Sequence, residues 1–330
     1  MANTGIILTL AYPDTIVMVS KEWFSPFLRF IGIGKKNYLR AGHAALVLIN
    51  KATGVLEYYD FGRYITPEPT GRVRGSDTDN ELHMPLKAII EDDVILNLND
   101  ILKYLATHPK ITHGEGKLVA SVCSLVDYNL ARKHITNMQE QHFIRYAAFK
   151  KNACNCARFV TDTLIVSVTN EKIKKRLKKS KRFTPSTVGN VLLANTERQV
   201  FEVSELGEIS VFGGSQRSEN IRCFLDPLKN HQVNFEGTLM PKYFEGLNEK
   251  AQWLSGIAAG AWFELHKDDI ETKYVFRRLS PHGHLDVHDY FVTETEGFNY
   301  HEPFEFVHYS NCKFFHIKQS NKLYRFDRVS

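Results

Sequence analysis

Residues 42–47 read Gly-His-Ala-Ala-Leu-Val, and residues 155–160 read Asn-Cys-Ala-Arg-Phe-Val. The first stretch sets a histidine at the start of an apolar run. His43 therefore projects from the rigid end of a strand whose later residues enter the core. The second opens a helical pattern, with Cys156, Phe159, Val160, Thr163 and Leu164 on one face. Unpaired N–H groups and the positive end of the macrodipole at a helix N-terminus favour thiolate over thiol. A neighbouring imidazole strengthens that preference and can later protonate a leaving group. Together the two stretches could supply complementary halves of an acyl-transfer site.

Outward from these motifs, residues 5–10 predict a first strand. Residues 44–49, a turn at 50–54 and a returning strand at 55–61 predict a hairpin. Residues 23–33, apolar and aromatic, predict a short helix or loop over the core. Residues 66–75, rich in Pro and Gly, read as a loop. Asn99 is expected to cap a helix carrying Ile101, Leu102 and Leu105. A buried strand at 117–122, a helix after Asp127 and a strand at 143–149 follow. Thr184 and Pro185 suit the cap and first position of a later helix. Beyond residue 195 strand-like runs dominate, and residues 213–220 (GGSQRSEN) read as a linker. The expected class is α+β, with one domain over 1–195 and a β-rich accessory domain of open topology over 196–330.

A His-Ala-Ala-Leu-Val strand start, a hairpin strand after it, and a later Asn-Cys-x-x-Phe-Val helix resemble the circularly permuted NlpC-type papain-fold superfamily. That group includes YiiX-like and lecithin:retinol acyltransferase-like proteins. The resemblance covers residues 1 to about 195; residues 61–150 would be an insertion, and residues 196–330 match no pattern. It implies a thiol hydrolase or acyltransferase acting on an amide, peptide or ester bond, with Cys156 as nucleophile and His43 as base. A third group from the strand after His43 should orient the imidazole. Glu57, Tyr59 and Asp60 are the candidates, Asp60 and then Glu57 favoured, with a loop of four to five residues setting His43 opposite position 60 or 61. The Cys156 N–H should meet the oxyanion. Arg63, Arg72 and Arg74 could clamp an anionic substrate group through forked hydrogen bonds. The rival reading is a binding or scaffold protein that keeps the fold without turnover.

Composition narrows the partners. The net charge of +5 demands no nucleic acid, although residues 172–182 (KIKKRLKKSKR) hold eight basic side chains and no acid. Read alone, that run is a solvated helix face held down by Ile173 and Leu177, with no interleaved aromatics. No stretch approaches the ~18 apolar residues of a membrane span. Five cysteines, an odd number, with no signal-peptide pattern at the start suggest reduced thiols and a cytoplasmic protein. His282, His284, Asp286 and His288 nearly spell a metal motif, but the last His is displaced by one. No metal or cofactor is assigned, and the expected partner is a small-molecule or peptide-like substrate.

Overall fold

The computed structural model describes residues 2–19, 30, 32–35, 38–231, 241–257, 259–268, 273–281 and 283–329. Most of the apolar stretch at 23–33, and His282 of the metal-like motif, lie outside the described residues.

The first unit is built on an eight-stranded antiparallel sheet. Its strands run in the order Ile144–Arg145, Thr70–Arg74, Leu56–Gly62, His43–Asn50, Gly5–Tyr12, Leu118–Val126, Phe201–Val203 and Ile209–Val211. The central strands are covered on both faces, which explains their unbroken apolar sequence. Ala44, Leu46 and Leu48 pack with Phe159, Val160 and Leu164 of helix Cys156–Ser167 and with Ala131 and Ile135 of helix Tyr128–Glu140. Ala45, Val47 and Ile49 face the other way, against Ile101, Leu102 and Leu105 of helix Leu98–Thr107.

Several expectations change. Residues 66–75 are not all loop, because Thr70–Arg74 pairs with Leu56–Gly62 inside the sheet. Gly71 can stand there because its α-carbon lies against Phe61 and the Gly62 carbonyl, where a Cβ would collide. Of the expected 143–149 strand, Ile144–Arg145 forms a strand and Tyr146 adds a single bridge to Cys154. The sheet also continues past residue 195, since Phe201–Val203 pairs with Leu118–Val126. Residues 213–220 are not a free linker: Ser215 and Ser218 form a capping box that starts helix Gln216–Phe224. Ser186, rather than Thr184, caps the helix Thr187–Ala194, and helix Leu98–Thr107 begins after Asn97.

The α+β class stands, and the second half is β-rich as expected. Seven antiparallel strands run in the order Gln252–Gly256, Ala259–Lys267, Tyr274–Leu279, Leu285–Val292, Lys322–Arg328, Phe314–Gln319, Glu305–Val307. They curl into a nearly closed barrel around Phe263, Phe276, Phe291, Phe306, Phe315 and Phe326. Side chains span the seam between the first and last strands. Gln252 donates to the Phe304 carbonyl (2.9 Å) and accepts from the Phe306 N–H (2.7 Å), and the His308 ring meets the Ser255 carbonyl (2.7 Å).

Asp79 joins the two units. It is fully buried and takes a forked pair of hydrogen bonds from Arg72 of the sheet, both 2.6 Å, and one from Arg278 of the barrel at 3.2 Å. Burial alone would raise its carboxyl, but Arg72 and Arg278 outweigh that and hold it well below the usual range. Nearby, the Cys312 N–H donates to the Thr78 carbonyl, and Asn80 donates to the Asp286 carbonyl. Gly256 packs against the chain at 63–65, where a Cβ would fall 2.2 Å from the Ile65 nitrogen. Asp79→Ala should leave the buried Arg72 guanidinium without its counter-charge, while Arg278 keeps Glu81 and Asp286, and cost about 3–5 kcal/mol. Urea unfolding followed by the fluorescence of Trp253 and Trp262 would read this, and a loss below about 1 kcal/mol would show that Asp79 does not carry the junction.

Candidate active site

Cys156 is the first residue of its helix, and the Asn155 side chain caps it by accepting from the Arg158 N–H at 2.8 Å. The Arg158 guanidinium donates to the Lys150 and Ala153 carbonyls (2.7 and 2.9 Å), which fixes the approach to the helix. His43 is the first residue of its strand, paired opposite Tyr12. Strand parity places His43 with Ala45 on the face turned away from the Cys156 helix. The ring nevertheless interacts with the Cys156 sulfur.

The register differs from the expected one. Ala45, not His43, stands opposite Asp60, so His43 and Asp60 are diagonal neighbours on one face. His43 Nε2 lies 3.3 Å from Asp60 Oδ2, which leaves Nδ1 as the nitrogen available to Cys156. Burial alone would drive the proton off the imidazole. The hydrogen bond it donates to Asp60 and its interaction with Cys156 outweigh that and raise His43 from 6.5 to about 9.

Asp60 has no exposed surface. Besides His43 it accepts from Tyr58 Oη (3.3 Å) and Tyr64 Oη (3.1 Å), and from Arg74 through Nε (2.9 Å) and Nη2 (2.6 Å). Burial raises its carboxyl, but the Arg74 charge and the His43 contact hold it well below the ordinary carboxylate range. Arg74 sits directly opposite Asp60 on the neighbouring strand and stacks 3.7 Å over the Tyr64 ring.

The other expected residues fall elsewhere. Glu57 pairs opposite Leu48 and binds Arg132 (2.9 Å), Tyr59 and Tyr128, away from His43. Arg72 and Arg74 are buried and bound to Asp79 and Asp60, so neither guanidinium is free for a substrate. Both were read as loop arginines because Thr70–Arg74 was read as loop. Arg63 is half-buried; it donates to the Met18 carbonyl and lies 4.7 Å over the Tyr146 ring.

Tyr146 was missed. Its hydroxyl interacts with the Cys156 sulfur, and burial together with that sulfur raises it above the ordinary tyrosine value. It lies just past the Ile144–Arg145 strand, bridged to Cys154 across the sheet edge. An aromatic ten residues before a helix-start cysteine carried no signal in the sequence.

All five cysteines are free and buried. Burial lifts Cys123 and Cys312 to about 12 and Cys223 to about 11, and pushes Cys154 up as well. Among the described residues no cluster of His, Cys, Asp and Glu could hold a metal ion, and no helix is long and apolar enough to cross a membrane.

Two family models match the chain. One, described as type VI secretion system effector TseH-like, covers residues 7–173 and so takes in His43, Asp60 and Cys156; the other, a DUF6695 C-terminal domain, covers 251–329. No curated protein matches. Among solved structures, the crystal structure of the type VI secretion system effector TseH is 18% identical, with a TM-score of 0.41, over 64% of this chain and 99% of that one. The expectation of a cytoplasmic protein is overturned, because the matched family consists of secretion-system effectors. That expectation rests on an odd number of cysteines and on a start without a signal-peptide pattern, and thiols buried to this depth say nothing of the compartment. With the first model spanning half of its residues, the chain belongs to the TseH-like family of type VI secretion system effectors.

Proposed function

We propose that the chain is a cysteine hydrolase or acyltransferase acting on an amide, peptide or ester bond through an acyl-Cys156 intermediate. The observation that carries this reading is the continuous line Cys156–His43–Asp60, with the carboxylate locked by Arg74. In this mechanism the Cys156 sulfur attacks the substrate carbonyl and forms a tetrahedral oxyanion. The Cys156 N–H at the helix terminus meets that charge, and the Tyr146 hydroxyl is a second donor beside the sulfur. His43, charged at neutral pH, gives its proton to the departing amine or alcohol, and a thioester remains. The neutral imidazole then takes a proton from water or another acceptor, which attacks the thioester and releases the thiolate. Asp60 fixes the ring and supports its charge. Arg63, beside Tyr146, is the arginine left to meet substrate.

The hydrolase unit in this reading is the eight-stranded sheet with its helices, and the barrel restricts access rather than supplying groups for chemistry. Ile65, next to Tyr64 of the site, packs into the barrel core, which supports that division.

Residue-resolved alkylation tests the nucleophile. Cys156 should label near neutral pH ahead of Cys123, Cys154, Cys223 and Cys312, whose thiols burial keeps protonated. His43→Ala should slow Cys156 labelling roughly tenfold or more without abolishing it, because the helix terminus remains. Equal rates in both proteins would favour the scaffold reading.

The pH profile tests the acid. His43 is raised above its ordinary value, so the imidazolium's contribution to stability is fully present below about 6.5 and is lost as pH rises through about 9. Turnover that needs the imidazolium to protonate a leaving group should fall across the same upper limb. A kcat/KM that stays level between pH 8 and 10 on an amide substrate, two units bracketing that value, would remove His43 from the acid role.

A further inference from the structure

We propose that helix Glu171–Ser180, with the flanking residues 149–151 and 181–183, is a docking surface for an anionic lipid bilayer. Ile173 and Leu177 hold the helix to the protein, and the Lys174 stem is buried with them. Lys172, Lys175, Arg176 and Lys179, spaced i, i+3, i+4 and i+7, form the exposed stripe opposite. Lys178 and Arg182 extend it, both exposed, whereas the exposed Lys181 is already paired with Asp162. Within the run at 172–182 no acidic side chain interrupts the charge.

The sequence offered no aromatic partner for this run, but the fold supplies one. Phe183 is 74% exposed and Phe149 40% exposed, and their rings pack with centroids 5.1 Å apart. Phe149 is followed by Lys150 and Lys151, so the pair is flanked by cations on both segments. Two large apolar rings displayed among lysines suit an interface that is apolar below and anionic above. A bilayer surface is such an interface: headgroups draw the lysines, each worth about 1 kcal/mol, while the rings enter the acyl boundary.

A nucleic-acid partner fits less well. The stripe lies on one convex helix, the two rings pack on each other at 59° instead of standing apart as stacking platforms, and six of the eight cations are lysines. The position of the patch adds a consequence. Arg158, in the first turn of the Cys156 helix, holds the Lys150 carbonyl at 2.7 Å, so a docked bilayer would lie beside the approach to Cys156. The docking itself does not depend on the catalytic reading.

Sedimentation of the full chain with vesicles tests this directly. Phosphatidylglycerol–phosphatidylcholine vesicles should bind it, pure phosphatidylcholine vesicles should not, and added salt should weaken the binding. The triple reversal Lys175→Glu, Arg176→Glu, Lys179→Glu should lower partition at least roughly tenfold. Phe183→Ser, which leaves every charge in place, should lower it several-fold. Circular dichroism and Cys156 alkylation should be unchanged in both variants, since all four side chains are exposed. Equal binding to neutral and anionic vesicles, or no loss in the triple reversal, would overturn the proposal. So would tight, salt-sensitive binding of a single-stranded oligonucleotide with no binding to vesicles.

Discussion

A carboxylate with no exposed surface stays charged only if something nearby makes charge cheaper than neutrality. For Asp60 that is Arg74, directly across the strand pair and joined to it by two parallel hydrogen bonds. The pair is buried, so its attraction is little screened by solvent, and Tyr58 and Tyr64 fill the carboxylate's remaining positions. Only with this charge fixed does the His43 ring have a partner that holds both its orientation and its proton. The strand Thr70–Arg74 thus serves the site without touching the sulfur. Removing Arg74 would disturb a buried carboxylate first and the imidazole second.

The same strand has a second task. Arg72 and Arg74 alternate with Val73, so both guanidiniums leave one face of the sheet while Val73 enters the core beneath the other. Arg74 turns to Asp60 and the site, and Arg72 turns to Asp79 and the barrel. Site and domain junction therefore share two residues of backbone. A shift of the barrel that pulled on Asp79 would be felt next to Asp60 through a rigid, hydrogen-bonded strand.

Much of this was legible in the sequence because local pattern and tertiary role agreed. His43 and Cys156 sit at element starts that their neighbours announce, and the hairpin after His43 carries Asp60 on a strand. What could not be read was pairing at a distance. Pro67, Pro69, Gly71 and Gly75 made the Arg72–Arg74 segment look like a loop, yet Gly71 marks close approach of backbone to Phe61. Register was misjudged because one turn residue more or less moves every opposed pair, although it left Asp60 on the correct face. Tyr146 and Phe149 gain meaning only from contacts with residues far along the chain. The barrel's strands were visible as runs, but nothing in those runs foretold that Gln252 would bridge the seam.

Gly256 bears on how such a barrel could be exchanged between hosts. With a hydrogen in place of a side chain, it admits the backbone at Arg63–Ile65 to a distance at which any other residue would collide. At this point the fit is set by main-chain shape, in addition to the side-chain contacts through Asp79 and Ile65. Recombination could therefore carry this barrel onto another unit only where the recipient already bends its chain as residues 63–65 do here and offers Arg278 a carboxylate. A recipient without that bend would have to receive the bend along with the barrel.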